Sequence, residues 1–154
     1  MNLFKLIVTF FFVGNVRIAP GTIASFATVI IFYAFAKYFN VFSFILTISA
    51  VTLLSFVAVG AYTTDLLEKD RSEIVIDEVI GQSIALLPIL IYTESTSPKF
   101  FICLISLFFF RFFDIVKPYP INKIDKMNNT FGVIFDDILA GIFAALLLTF
   151  VLRF

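Results

Sequence analysis

Two stretches of this chain, residues 41–62 and 133–152, are as long and apolar as a helix that crosses a bilayer. The first carries no charge at all, and the second none beyond Asp136 and Asp137. A helix rises 1.5 Å per residue, so a hydrocarbon core of about 30 Å needs about 20 residues. The stretch 23–39 comes close to that length, while 79–92 and 100–113 are short and need their flanks or a thinned bilayer. Pro88 should kink the third of the five, because proline lacks the N–H and crowds the preceding turn. A further apolar run, 3–13, is too short to span and reads as interfacial or re-entrant. It has no basic start and no small-residue cleavage site, which argues against a cleaved leader. Composition agrees. Hydrophobic residues make up 61% of the chain, Phe alone 23 positions, and charged residues 14%, where soluble domains carry roughly a quarter. A globule of this size has too little interior to hide so much apolar surface. The expectation is an all-α, polytopic membrane bundle of about five apolar helices, a single domain over residues 1–154, with a polar active-site face on one side.

The few charges are unevenly placed. If the five helices alternate in direction, the polar segments 14–22, 63–78 and 111–130 share one side with Asp136 and Asp137. That side holds Arg17, Lys69, Arg71, Arg111, Lys117, Lys123 and Lys126, against Lys37, Lys99 and Arg153 opposite. By the positive-inside rule the first side is cytoplasmic. Acids do not set topology, yet of all of them only Glu94 lies on the far side. A solvated surface accounts for Asp65, Glu68, Asp70 and Asp125. Net charge is zero, so nothing points to a nucleic-acid partner. The single cysteine, Cys103, permits no internal disulfide. The absence of histidine removes many metal sites and acid–base mechanisms.

A solvated surface does not account for Asp77 and Glu78 in IVIDEVIGQ (74–82), or for Asp136 and Asp137 in FGVIFDDILAG (131–141). An ionisable group in a membrane segment costs roughly 2.5–3.5 kcal/mol even on the lenient insertion scale, so its default reading is functional. A helix N-terminus favours a carboxylate by only about 0.3–1 kcal/mol, and capping explains two adjacent acids poorly. Helical spacing puts Glu78, Gln82 and Ala85 on one face and Asp137, Gly141 and Ala145 on another. Small residues four apart let membrane helices approach closely. Asp136 heads a similar stripe through Ala140 and Ala144 and stays in contention. Carboxylates without histidine or clustered cysteine suit a hard cation, Mg²⁺ or Mn²⁺ rather than Zn²⁺. Mg²⁺ is commonly held by one or two carboxylates together with substrate phosphates, so a phosphorylated ligand is expected.

FRFFDIVKPYPI (110–121) supplies the complementary charge. Lys117 precedes a Pro-x-Pro that ends the helix, and either binds phosphate or snorkels to lipid headgroups. Asp114, three residues earlier, is placed to orient Lys117 or to reach a metal. Arg111 reads as an ordinary snorkelling residue. APGTIAS (19–25) opens the first long stretch. Gly21 allows close backbone approach, Thr22 suits an N-cap, and helix N–H groups can bind an anion or simply begin a membrane helix.

In the order APGT, IVIDE, FDIVKPYPI, DDILAG, these segments resemble the phosphatidylglycerophosphatase A family over about residues 14–145. The family's Trp-Gly after APGT is replaced here by Ile23-Ala24, and the Trp of its KPxP motif by Tyr119, while the charged positions are kept. The resemblance implies an enzyme of the bacterial cytoplasmic membrane, its active-site face cytoplasmic, that hydrolyses the terminal phosphate of phosphatidylglycerophosphate with Mg²⁺. It implicates Asp77, Glu78, Asp114, Lys117, Asp136 and Asp137 in catalysis, with Asp77, Glu78, Asp136 and Asp137 as metal ligands. Gly21, Thr22, Arg17 and Lys117 are the candidate substrate contacts, and the partner is a phospholipid in the membrane. A small cation transporter or channel subunit is the alternative, since intramembrane acids can ligate a transported ion. It would need polar groups through the bilayer, and the far halves of these stretches are almost purely apolar.

Overall fold

The computed structural model describes residues 3–38, 40–64, 72–92 and 100–154, and among them every regular element is helical. Seven α-helices follow in order: α1 (Leu3–Val8), α2 (Pro20–Phe35), α3 (Val41–Tyr62), α4 (Ile76–Tyr92), α5 (Phe100–Val116), α6 (Ile121–Asp125) and α7 (Thr130–Arg153). The five long ones match the five apolar stretches. Residues 20–38, 41–62 and 130–153 are long and apolar enough to cross a membrane.

Local chemistry sets most of the helix ends. Asn40 caps α3 by accepting from the Ser43 amide at 2.8 Å, and Ser43 Oγ accepts from the Asn40 amide at 3.1 Å. Asn129 caps α7 by accepting from the Gly132 amide at 2.7 Å. Helix α2 begins at Pro20, three residues earlier than a Thr22 cap would put it, with Ala19 as the cap residue and no side-chain cap bond. Proline suits the first helical position because its φ is preset and its missing N–H would be unpaired there anyway. Thr22 is therefore inside the helix and exposed, which corrects its expected capping role.

Helix α4 is the central element, packed against α2, α3, α5 and α7. It has 17 residues, and nine-tenths or more of the surface of Ile80, Gln82, Ala85, Leu86 and Ile89 is covered. Its helical assignment continues through Pro88, which is itself buried. Neighbouring helices on four sides support a proline that an isolated helix would tolerate poorly. Gln82 Nε2 donates to Ser106 Oγ at 3.2 Å, a polar link from α4 to α5. Outward-facing residues are apolar as well. Phe42, Leu46, Leu53, Leu54 and Val57 of α3 are all more than half exposed, a surface a soluble monomer rarely carries.

The run 3–13 does not span. After α1 the backbone turns sharply through Phe10, Phe11 and Phe12, at φ 43, 55 and 70°. This left-handed region disfavours any residue with a Cβ. Val8, at the end of α1, meets the segment before α4, where the Val75 amide donates to its carbonyl at 2.9 Å. Tyr62 Oη donates to Glu73 Oε1 at 2.8 Å, and Lys5 lies 4.0 Å from the same carboxylate. These contacts fix the approach to Asp77 from two sides.

Candidate active site

The closest approach in the bundle occurs where α4 crosses α7. A Cβ at Gly81 would come within 2.5 Å of the Asp137 carbonyl oxygen, and one at Gly141 would overlap the Gly81 backbone. Two glycines let the helix axes approach until Asp77 and Glu78 on α4 face Asp137 on α7. One carboxylate oxygen from each of the three lies within 4.8 Å of the others.

Around this trio lies a cavity of about 100 Å³. Its polar lining is Asp77, Glu78, Asp114, Lys117, Asp125, Asp136 and Asp137, with Ser72 at the rim. Asp77, Asp136 and Asp137 are buried. Asp77 Oδ1 accepts from the Glu78 amide at 3.0 Å, in the first turn of α4. Asp136 and Asp137 lie well inside α7, which Asn129 caps, so neither acid of that pair is a helix cap.

Asp136 does not join the trio. Its Oδ2 accepts from Lys117 Nζ at 2.8 Å, and Asp125 accepts from the same ammonium. Of the four expected metal ligands, three converge and the fourth is turned toward the lysine. Burial acts to lower the Lys117 pKa, but hydrogen bonds to Asp125 and Asp136 outweigh it and hold the group above its ordinary value. Lys117 is thus a fixed cation rather than a side chain snorkelling to headgroups. Asp114 lines the cavity but pairs with Arg111, whose guanidinium lies 2.7 Å from it, instead of orienting Lys117.

Two residues were misplaced by sequence reasoning. Asp125 was assigned to a solvated surface, yet it lines the cavity. The usable signal was its position four residues after Ile121, on the face that buries Ile121 completely. Arg111 was read as snorkelling, yet its side chain is only 18% exposed and its Nε has no hydrogen-bond partner. The i, i+3 spacing to Asp114 was the signal there.

Of the expected substrate contacts, Gly21 sits beside the site: a Cβ there would overlap the Glu78 carboxylate. Arg17 and Thr22 are exposed and do not line the cavity. Asp65, Glu68, Lys69, Asp70 and Arg71, and the 93–99 loop with Glu94 and Lys99, lie outside the described residues.

The donor set suits a hard divalent cation. All three converging groups are carboxylates, and among the described residues Glu78 Oε2 is buried without a hydrogen-bond partner. A buried acceptor left unpaired is costly, and a cation among the three carboxylates would remove that cost.

The chain matches the family model described as phosphatidylglycerophosphatase A over residues 6–152. It is 34% identical over 147 residues to a Haemophilus influenzae protein named phosphatidylglycerophosphatase A, covering 95% of this chain and 86% of that protein. It is 33% identical over 149 residues to a Bacteroides thetaiotaomicron protein named "Putative phosphatidylinositol-3-phosphatase", covering 93% and 89%. No solved structure matches it.

Proposed function

The chain belongs to the phosphatidylglycerophosphatase A family and is a membrane-embedded phosphatase, and on that premise we propose that it hydrolyses the terminal phosphate of phosphatidylglycerophosphate with Mg²⁺. The observation that carries the reading is the convergence of Asp77, Glu78 and Asp137 beside the Lys117 ammonium, in a cavity at one end of an apolar bundle. A phospholipid substrate would bring its headgroup to that end while its chains stay in the bilayer.

Asp77, Glu78 and Asp137 would hold the Mg²⁺, an ion that prefers carboxylate and phosphate oxygens. When bound, it neutralises phosphate charge and lowers the pKa of water. The protein's own residues supply the rest. Lys117, held by Asp125 and Asp136, donates to a phosphate oxygen as negative charge builds in the transition state. Asp136 and Asp125 keep its ammonium in place, so little reorganisation accompanies the reaction. Gly21 leaves room for the Glu78 carboxylate against α2. Overall, the oxygen of a water molecule becomes bonded to phosphorus, the P–O bond to the glycerol oxygen breaks, and a proton from that water ends on the leaving alkoxide, giving phosphatidylglycerol and inorganic phosphate.

The site-bearing end is assigned to the cytoplasmic face of the bacterial inner membrane. Lys5, Arg17, Arg111, Lys117, Lys123 and Lys126 belong to that end, against Lys37 and Arg153 at the other among the described residues, in keeping with the positive-inside rule.

The test is phosphate release by purified protein from phosphatidylglycerophosphate, phosphatidic acid and phosphatidylinositol 3-phosphate in detergent. Phosphatidylglycerophosphate should be preferred, with activity lost in EDTA and restored by Mg²⁺. Preference for the inositol lipid, which the name of the Bacteroides relative makes the natural competitor, would overturn the substrate assignment and leave lipid-phosphomonoester chemistry in place. Full activity in chelator would remove the metal.

A further inference from the structure

Of the six carboxylates that line the cavity, Asp114 pairs with Arg111, and the other five fall into two groups. Asp77, Glu78 and Asp137 converge, and among the described residues the ion pairs of Arg111 and Lys117 go to other carboxylates. Asp125 and Asp136 converge from α6 and α7 on a single point, and that point is occupied by Lys117 Nζ. In two-metal phosphatases the second ion helps to clamp the oxygens at the reacting phosphorus. An ammonium with three donors can do the same: two go to Asp125 and Asp136, and one remains for a phosphate oxygen.

The backbone at Lys117 is also distinctive. Lys117 ends α5 with its amide donating to the Phe113 carbonyl at 2.9 Å and its φ at 45°. That left-handed helix-ending position is usually glycine, because a Cβ is disfavoured there. Pro118 follows, with its own φ fixed by the ring. The backbone thus sets where the side chain starts, and the bonds to Asp125 and Asp136 set where its ammonium ends.

Resting on the metal-dependent reading above, we propose that the protein binds one divalent ion, at Asp77, Glu78 and Asp137, and that the Lys117 ammonium between Asp125 and Asp136 is a built-in second cation. The alternative role for the Lys117 cluster is purely structural, tying α6 and the end of α5 to α7.

Metal stoichiometry separates these, independently of turnover. Mn²⁺ bound per chain would be counted by electron paramagnetic resonance on protein in detergent, for the wild type, Lys117→Met, and the Lys117→Met/Asp125→Asn double variant. The expected counts are one, two and one. Melting curves report whether each variant is folded, and the wild-type count stands whatever the variants do. Two ions in the wild type would overturn the inference and leave the metal-dependent reading intact. One ion in both the wild type and a folded Lys117→Met would assign the cluster a structural role only, which also overturns it. No Mn²⁺ on the wild type would overturn the metal-dependent reading itself, so the two failures are distinguishable.

Discussion

Asp136 and Asp137 are adjacent in sequence and do different things in space. On a helix, neighbours point about 100° apart, so one reaches the carboxylates of α4 and the other the lysine after α5. The difference predicts the outcome of a conservative substitution. Asp137→Asn keeps the shape of the side chain and, since Asn129 already caps α7, has no cap to preserve. Loss of one ligand charge should lower phosphate release at least about 100-fold, or about 2.7 kcal/mol of transition-state stabilisation. Folding should survive, because a buried amide is easier to accommodate than a carboxylate. Assays alongside melting curves with and without Mg²⁺ check both parts, and near-normal turnover would exclude Asp137 as a ligand. At this scale the acid pairs were legible because charges in apolar sequence are conspicuous. Asp125 was not, because it sits among polar neighbours in sequence, and Arg111 was not, because an arginine among phenylalanines near a helix end looks like a snorkelling residue until its pairing with Asp114 is seen.

Among the elements, α4 and α7 matter most, and their crossing rests on Gly81 and Gly141. A methyl group at Gly141 would meet the Gly81 backbone, which cannot rotate aside. Gly141→Ala should therefore push the helices apart, costing about 1–3 kcal/mol as overpacking and loosening the three-carboxylate convergence. Gly60, in α3, is the control. A Cβ there would find only Thr130 Oγ1, at 3.8 Å, so Gly60→Ala should leave stability unchanged or raise it by up to about 1 kcal/mol, the helix preference for alanine. The check is the pair of melting temperatures, one lowered and one not, together with a higher Mg²⁺ concentration needed for half-maximal activity in Gly141→Ala alone. The sequence displayed the glycine and alanine spacing on α7. It did not display that Gly81 would be the residue opposite Gly141, since register between helices is decided by all the contacts along both.

For the whole molecule, the assignment of one polar end to the cytoplasm can be tested directly. In a Cys103→Ser background, cysteines at Ser72 and Lys123 should be shielded from an impermeant thiol reagent in intact spheroplasts, and one at Tyr38 should be labelled. All three positions are exposed. Labelling of Ser72 and Lys123 on opposite sides would break the shared-site reading. What the sequence by itself determined here was whatever depends on composition and period. Those are the all-helical class, the five apolar helices, the gathering of charge at one end and the two acid pairs. All of these follow from the cost of placing polar groups in hydrocarbon, which is paid residue by residue and so is written locally. Only the tertiary structure decided which acids converge. It set Asp136 apart from the trio, brought Asp125 in through the α6 turn, and gave Lys117 two carboxylate partners. Those outcomes depend on the distance and register between helices far apart in the chain, and a local pattern carries no information about either.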